Sequence, residues 1–163
     1  MSKIILCGHG TGGKDFLRKT LQNKGFKYGI SYTSRPARTT PVQEVEGIDY
    51  YFLSREDFEN KISEGFWLEY DEFGGNYYGT SKLQFEENDL FIMTRNGLEQ
   101  LTPEYRARVT IIFIDILEKI RRDRMVERGW NSEKIEARIE LDRKEFEGFE
   151  RPGYDIRITN EDF

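Results

Sequence analysis

A glycine-rich stretch containing one lysine, residues 8–15, has the composition of a polyphosphate site. Gly8, Gly13 and Lys14 fit the G-x-x-x-x-G-K core of a phosphate-binding loop. Such a site needs converging backbone N–H donors, a helix N-terminus and a mobile cation, and glycine lets the phosphate approach the backbone. A glycine-rich turn with a surface lysine is the alternative interpretation. We predict that the residues of this loop contact the phosphates of the bound nucleotide: Gly8, Gly10, Thr11, Gly12, Gly13, Lys14 and Asp15. Lys14 is also predicted to be catalytic.

The last position of this loop departs from the usual pattern, in which a Ser or Thr hydroxyl reaches Mg²⁺. The chain has Asp15 there. A carboxylate beside a triphosphate is repelled unless a metal ion lies between them. Two interpretations stay open: Asp15 belongs to the shell of Mg²⁺, or it points away and only favours the positive end of the helix.

Predicted strands and helices alternate around this loop. The apolar run 3–7 indicates a buried strand, and the apolar spacing within 16–21 indicates a helix after the glycines. Further strands are predicted at 26–32, 90–93, 109–114 and 154–158, and further helices at 96–101 and 131–146. Asp115-x-x-Glu118 has the spacing of a capping box that opens another, Arg-rich helix. The alternation predicts an α/β fold of the P-loop NTPase type, a parallel sheet flanked by helices.

Residues 49–79 have a different character. Strand-like alternation at 49–53 is followed by a helix capped by Ser54, an extended stretch and a hairpin turn at 74–76. This sheet-rich insertion is too small for an independent domain. We predict one domain, 1–163, divided into a core of about 1–32 and 80–163, an insertion of about 33–79 and a helical lid of about 116–140.

The composition limits the class of protein. With 163 residues, 37% of them hydrophobic, the chain fits one folded domain and is too apolar for intrinsic disorder. A net charge of −5 argues against a nucleic-acid polymer as partner. No apolar run approaches the roughly 20 residues of a membrane span, and the N-terminus lacks a signal-peptide pattern. A single cysteine, Cys7, forms no internal disulfide, so we predict a cytoplasmic protein.

Three consecutive stretches resemble, in order and spacing, the GMP-binding region of guanylate kinases. Ser31 to Arg38 resembles S-x-T-T-R-x-x-R, and Glu44 to Phe52 resembles E-V-x-G-x-D-Y-x-F. Phe66 to Ser81 resembles F-x-E-W followed by G-N-Y-Y-G-T/S. The resemblance implies a kinase that transfers a phosphoryl group from ATP, with Mg²⁺, to GMP or dGMP.

The chemistry of GMP fits the residues that the resemblance assigns to it. Arginine forks and tyrosine hydroxyls suit a dianionic phosphate. One carboxylate, here Glu69, accepts both the N1–H and the 2-amino donors of guanine, a pair that adenine lacks. The resemblance implies GMP contacts from Ser31, Arg35, Arg38, Tyr50, Glu69, Tyr78 and Thr80, with Arg35 also catalytic.

The donor side is expected to include a lid of arginines. Arg124-x-x-x-Arg128-Gly129 resembles the R-x-x-x-R-G of the family's lid, and Arg138 matches an arginine of the following helix. The resemblance implies that these three act in catalysis, and that Asn160 lies near the adenine of ATP. A solvated amphipathic helix is the plain alternative. We expect Arg121 and Arg122 to face solvent.

The strand at 90–93 departs from the family pattern D-x-D-x-Q-G. Ile92 and Thr94 stand where the two acids belong, and we hypothesise that Asp15 supplies the lost metal-shell carboxylate. His9 is expected to be a tolerated loop residue and Cys7 a core residue. The family normally continues into a terminal helix after the last strand, whereas this sequence ends at Phe163. The missing helix would expose sheet surface that a second copy could cover, so a monomer or a homodimer is expected.

Two rival functions stay open at this point. One is a kinase that accepts several deoxynucleoside monophosphates, and the retained Glu69 counts against it. The other is a non-catalytic guanylate-kinase-like module that binds a phosphopeptide in the acceptor site. Such modules typically lose the phosphate loop, whereas Gly13 and Lys14 are present here.

Overall fold

The structure, a computed structural model, describes residues 2–160; Met1 and residues 161–163, which belong to the predicted domain, lie outside the described residues. The strands are β1 Lys3–Gly8, β2 Tyr32–Thr33, β3 Tyr51–Phe52, β4 Trp67–Phe73, β5 Asn76–Ser81, β6 Leu90–Ile92, β7 Val109–Asp115 and β8 Ile156–Thr159. The helices are α1 Lys14–Asn23, α2 Arg55–Ser63, α3 Lys82–Glu87, α4 Arg95–Glu99, α5 Pro103–Arg106, α6 Glu118–Glu127 and α7 Ser132–Phe146.

A four-stranded parallel sheet, in the order β6-β1-β7-β8, forms the core. Ile5, Leu6 and Cys7 of β1 are fully buried, as expected for a central parallel strand covered on both faces. The predicted α/β fold with a parallel sheet flanked by helices is confirmed, and Cys7 is a core residue. Because the carboxyl ends of parallel strands meet at one edge, Gly8 and Ile114 lie side by side where the glycine loop begins.

A second, mixed sheet, in the order β3-β2-β5-β4, lies within residues 32–81. Its core is aromatic: the Phe58 ring of α2 stacks on Trp67 at 4.1 Å and on Tyr77 at 4.9 Å. The hairpin of β4 and β5 pairs Glu69 with Thr80 and Asp71 with Tyr78, so these four side chains project from one face. The division into core, insertion and lid stays a prediction.

Two local predictions are wrong. The segment 26–32 makes only an isolated bridge from Tyr28 to Leu90 before β2 starts at Tyr32. The ladder stops after Gly29, because the next amide, Ile30 N, donates to the Gln84 side chain at 3.1 Å and not to the backbone of β6. The capping box is also absent: Asp115 is the last residue of β7, where its carboxylate lies 2.6 Å from Arg157.

Other helix starts follow the sequence. Ser54 caps α2 by accepting a hydrogen bond from Asp57 N at 3.0 Å, and Asn131 caps α7 by accepting one from Lys134 N at 2.8 Å. Within residues 2–160, no helix has the length and apolar character required to cross a bilayer.

Candidate active site

The glycine loop connects β1 to α1 and folds over the Lys14 side chain. Lys14 Nζ donates to the carbonyls of Gly8 at 2.5 Å and His9 at 3.1 Å. Burial lowers the pKa of the Lys14 ammonium. Because the ammonium rests on two uncharged carbonyls, it keeps its positive charge available to an anion above the loop.

A pocket of about 340 Å³ opens beside this loop. Its lining combines the predicted ATP contacts with two of the predicted lid arginines: Thr11, Gly12, Gly13, Lys14, Asp15, Phe16, Arg124 and Arg128. Arg124 Nη1 also donates to the Thr11 carbonyl at 2.8 Å, which ties α6 to the loop. The structure therefore brings Lys14, Arg124 and Arg128 around one volume.

Arg138 lies on α7, behind the loop, and is held by a buried carboxylate. Its Nε donates to Asp142 Oδ1 at 3.0 Å. Asp142 Oδ2 accepts from the Gly10 amide at 3.0 Å and from Arg121 Nη1 at 3.1 Å. A single carboxylate thus joins the phosphate loop to both helices of the predicted lid.

The expectation that Arg121 faces solvent is wrong. Its side chain is 4% exposed, and the charge is compensated by the equally buried Asp142. The Ile116 carbonyl accepts a further bond from Arg121 Nε, so the buried guanidinium is paired on two sides. Arg122 is partly exposed and pairs with Glu118 and Glu136.

Asp15 stands at the mouth of the pocket. Its side chain is 79% exposed and lies 3.2 Å from Arg18 Nε. The part of the chain that the structure describes has no group of three or more His, Cys, Asp or Glu side chains placed to hold a metal ion. The metal role of Asp15 stays a prediction.

The predicted acceptor-phosphate residues gather around Glu44. Arg35 forms a two-pronged pair with it, Nη1 to Oε2 at 2.8 Å and Nη2 to Oε1 at 3.0 Å, and the Arg38 amide donates to Oε2 at 2.8 Å. The Arg35 guanidinium lies 5.4 Å from the Tyr50 ring, which lies 6.1 Å from the Tyr78 ring. Arg35 Nε is buried and has no hydrogen-bond partner among the described residues.

Glu69 lies on β4 in a nearly dry position, with 5% of the residue exposed. Burial raises the pKa of its carboxyl to about 7. The start of α4 presses on it: a Cβ on Gly97 would stand 2.4 Å from Glu69 Oε2. Thr80 is directly opposite on β5, and the Ser31 carbonyl accepts from the Tyr51 amide at 2.9 Å at the adjoining β3. The predicted base-site residues Glu69 and Thr80 are neighbours.

Two further residues considered from the sequence are Asn160, at the carboxyl edge of the parallel sheet, and His9, within the phosphate loop. Asn160 follows Thr159, which pairs with Asp115 at the carboxyl edge of the parallel sheet. The His9 ring packs 4.7 Å from Phe146, and burial lowers the pKa of its imidazole to about 4. His9 is therefore neutral at pH 7 and is no cation for the phosphates.

Comparison with known proteins decides the family. The family model described as guanylate kinase matches residues 1–163, the whole chain. The chain belongs to the guanylate kinase family. The guanylate kinase of Symbiobacterium thermophilum is 32% identical over 169 residues, which covers 98% of this chain and 77% of that protein. The crystal structure of guanylate kinase from Anaplasma phagocytophilum superposes with a TM-score of 0.72 at 28% identity, covering 99% of this chain and 78% of that one.

The predicted resemblance to guanylate kinases is thereby confirmed. Membership of the guanylate kinase family, together with the shared fold, supports an enzyme that phosphorylates GMP with ATP. Neither the broader deoxynucleoside monophosphate kinase nor the phosphopeptide module is favoured by a comparison.

The sequence motifs assign no role to three carboxylates that the structure places at the candidate site: Glu44, Asp142 and Asp71. Glu44 stood inside a matched motif, and its distance of nine residues from Arg35 gave no hint of their pairing. Asp142 follows Arg138 by four residues, a spacing that places both on one helical face and could have indicated their contact. Asp71 follows Glu69 by two residues, the spacing of one strand face.

Proposed function

We propose that the chain binds ATP at the phosphate loop, binds GMP or dGMP on the mixed sheet, and transfers the γ-phosphoryl group between them directly. The pocket where Lys14 meets Arg124 and Arg128 is the observation that carries this proposal. In this proposal the acceptor phosphate is the nucleophile, so no Ser, Cys or His nucleophile is required. Positioning and charge stabilisation account for the rate.

The residues divide into two opposed groups in this mechanism. Backbone amides of the loop and Lys14 would hold the β- and γ-phosphates, and Arg124, Arg128 and Arg138 would balance charge on the transferring group. Asn160 would lie beside the adenine. An oxygen of the GMP phosphate attacks the γ-phosphorus while the bond to the bridging oxygen breaks, and ADP leaves.

On the acceptor side, the two arginines orient that oxygen. Glu44 holds the Arg35 guanidinium in place, and three of the five guanidinium hydrogens have protein partners, which leaves hydrogens on Nε and Nη2. Arg38, Tyr50 and Tyr78 would complete the phosphate contacts. Burial raises the pKa of the Tyr50 hydroxyl, so Tyr50 stays protonated at neutral pH and can donate a hydrogen bond to the phosphate.

The base is read by Glu69, with Ser31 and Thr80 beside it. Mg²⁺ bound to ATP would neutralise charge on the phosphate oxygens, and Asp15 is the side chain we propose for its outer or inner shell. The cytoplasmic location and the monomer or homodimer stay predictions.

A coupled assay of ADP release with GMP, dGMP, AMP, dTMP and CMP tests the proposed function. We expect turnover with the guanine nucleotides and at least about 30-fold lower kcat/KM with the others, because an adenine or pyrimidine leaves the buried Glu69 unpaired. Turnover with several bases would support the broader kinase instead. No turnover with any acceptor would support the binding module.

A further inference from the structure

A second carboxylate, Asp71, shares a strand face with the residues proposed to bind GMP. Asp71 lies two positions after Glu69 on β4, beyond the bulge at Trp67 to Glu69. The cross-strand partners are Thr80 for Glu69 and Tyr78 for Asp71. Since cross-strand partners and alternate residues point to the same side, Asp71 projects among three proposed GMP contacts.

Asp71 also accepts hydrogen bonds from Thr94 and Asn96, in the segment where the family pattern has acids that this chain lacks. Thr94 Oγ1 donates to Asp71 Oδ2 at 2.9 Å, and Asn96 Nδ2 donates to Oδ1 at 2.9 Å. The Glu72 amide donates to Oδ1 at 2.9 Å. The Thr94 hydroxyl and the Asn96 side-chain amide thus hold a carboxylate of β4 beside the position, Thr94, at which the family pattern has an acid.

The contacts of Asp71 leave acceptor capacity. A carboxylate has about four lone-pair sites, and Asp71 uses two on Oδ1 and one on Oδ2. The side chain is half-buried and its negative charge is felt at Glu69, where it adds to the effect of burial on that pKa. The oxygen with the unused lone pair, Oδ2, belongs to a side chain on the same face of β4 as Glu69.

Guanine offers three hydrogens on this edge, one on N1 and two on the exocyclic amine. A single carboxylate accepts two of them, the N1–H and one amine hydrogen. The second amine hydrogen needs another acceptor if the base is buried, since an unpaired donor weakens binding.

We propose that Asp71 is a second base-reading carboxylate, which accepts a hydrogen bond from the 2-amino group of guanine. It takes the place of the acid absent at Thr94, and Thr94 and Asn96 act as positioning residues for it. This inference rests on the proposed function, because it names the specificity of the same acceptor site.

A comparison of GMP with IMP in the full chain tests the proposal. Hypoxanthine keeps the N1–H and lacks the 2-amino group, so IMP reports the Glu69 contact without the Asp71 contact. In Asp71→Asn we expect kcat/KM for GMP to fall roughly 10- to 100-fold, the scale of one hydrogen bond to a charged group, with kcat/KM for IMP within about threefold of wild type. The GMP-to-IMP ratio should therefore collapse.

A purely structural role predicts a different result. If Asp71 only anchors α4, both nucleotides should lose the same factor and the ratio should stay unchanged, which would overturn the proposal. Glu72→Gln is the matched control, because the adjacent carboxylate pairs with Arg55 and should leave both values unchanged. Asp71→Ser is the second variant if the asparagine variant folds poorly, and the same ratio is its readout.

The two possible failures are distinguishable. Wild-type protein without turnover on GMP would remove the proposed function itself. Wild-type protein with turnover on GMP and an unchanged ratio in both Asp71 variants would remove this inference alone.

Discussion

Glu69 combines two properties that oppose each other. Its carboxylate must be ionised to accept two hydrogen bonds from guanine, yet its burial favours the protonated form and raises its pKa to about 7. Bound guanine would offset that penalty, because its donors replace the water that the folded protein excludes. In the proposed base site, the desolvation that would favour guanine over other bases also makes the ionisation of Glu69 sensitive to pH.

Guanine binding should accordingly weaken as pH falls through about 7. For wild-type protein we expect kcat/KM for GMP to drop by roughly tenfold per pH unit below this value, since kcat/KM reports the ionisation of the free enzyme. Steady-state assays between pH 5.5 and 8.5, a range of about three units, measure the inflection. Glu69→Gln should lack it, while an inflection near pH 6 from the GMP phosphate itself should remain in both proteins.

The free energies of unfolding of wild-type protein and of Glu69→Gln should diverge as pH rises from 4.5 to about 7. The folded-state pKa is raised from 4.5 to about 7, so the unfolded chain releases its proton first and wild-type stability declines as pH rises between these values. Glu69→Gln has no such decline, and should gain up to about 3 kcal/mol relative to wild type by pH 8. Urea unfolding at several pH values measures the difference. A constant difference across pH would contradict the raised pKa.

Among the helix starts, the short-range signal was correct at Ser54 and wrong at Asp115, where a long-range contact decides the structure. Ser54 caps α2 as predicted, because a cap depends on residues three positions apart. Asn131, at the start of the predicted helix 131–146, caps α7 in the same way. Asp115 has the same local spacing, yet β7 continues through it and Arg157 takes its carboxylate. The partner of Asp115 lies 42 residues further along the chain, and no local pattern announces it.

The link between the phosphate loop and the lid helices depends on the buried pair of Arg121 and Asp142. Removing one partner leaves a buried charge, so Asp142→Leu should destabilise the protein by about 3 to 5 kcal/mol. The double variant Arg121→Met with Asp142→Leu should recover most of that loss, because an apolar pair replaces both charges. Urea unfolding of both variants measures this.

In the double variant Arg121→Met with Asp142→Leu, kcat should stay low even though the free energy of unfolding recovers. Arg138 and the Gly10 amide lose their shared acceptor, so kcat should stay at least about tenfold below wild type if Asp142 positions them. A double variant that is both stable and fully active would show that Asp142 has only a structural role.

For the whole molecule, the α/β fold and the guanylate kinase family were predictable, because the glycine loop and three acceptor motifs each occupy a short stretch of sequence. The structure brings the loop residues, Arg124 and Arg128 together, and separately gathers Arg35, Tyr50 and Tyr78. The long-range contacts of the carboxylates were not predictable, although the four-residue spacing of Arg138 and Asp142 indicates their contact within α7. Asp71 reaches Thr94 across 23 residues and Asp142 reaches Gly10 across 132, distances that only the folded chain closes.

Direct phosphoryl transfer requires the donor site and the acceptor site to lie close together. ADP release alone does not establish direct transfer, since hydrolysis of ATP also releases ADP. The fate of the γ-phosphoryl group, followed with ATP labelled at that position in the presence of GMP, is the decisive observation.

We expect the label to appear in GDP with wild-type protein, and its rate to fall by at least about 100-fold in Lys14→Met because the loop loses its cation. Lys19→Met, a change on the exposed side of the same helix, is the matched control and should leave the rate unchanged. Label released as inorganic phosphate, or a Lys14→Met protein as fast as wild type, would contradict direct transfer between the two sites.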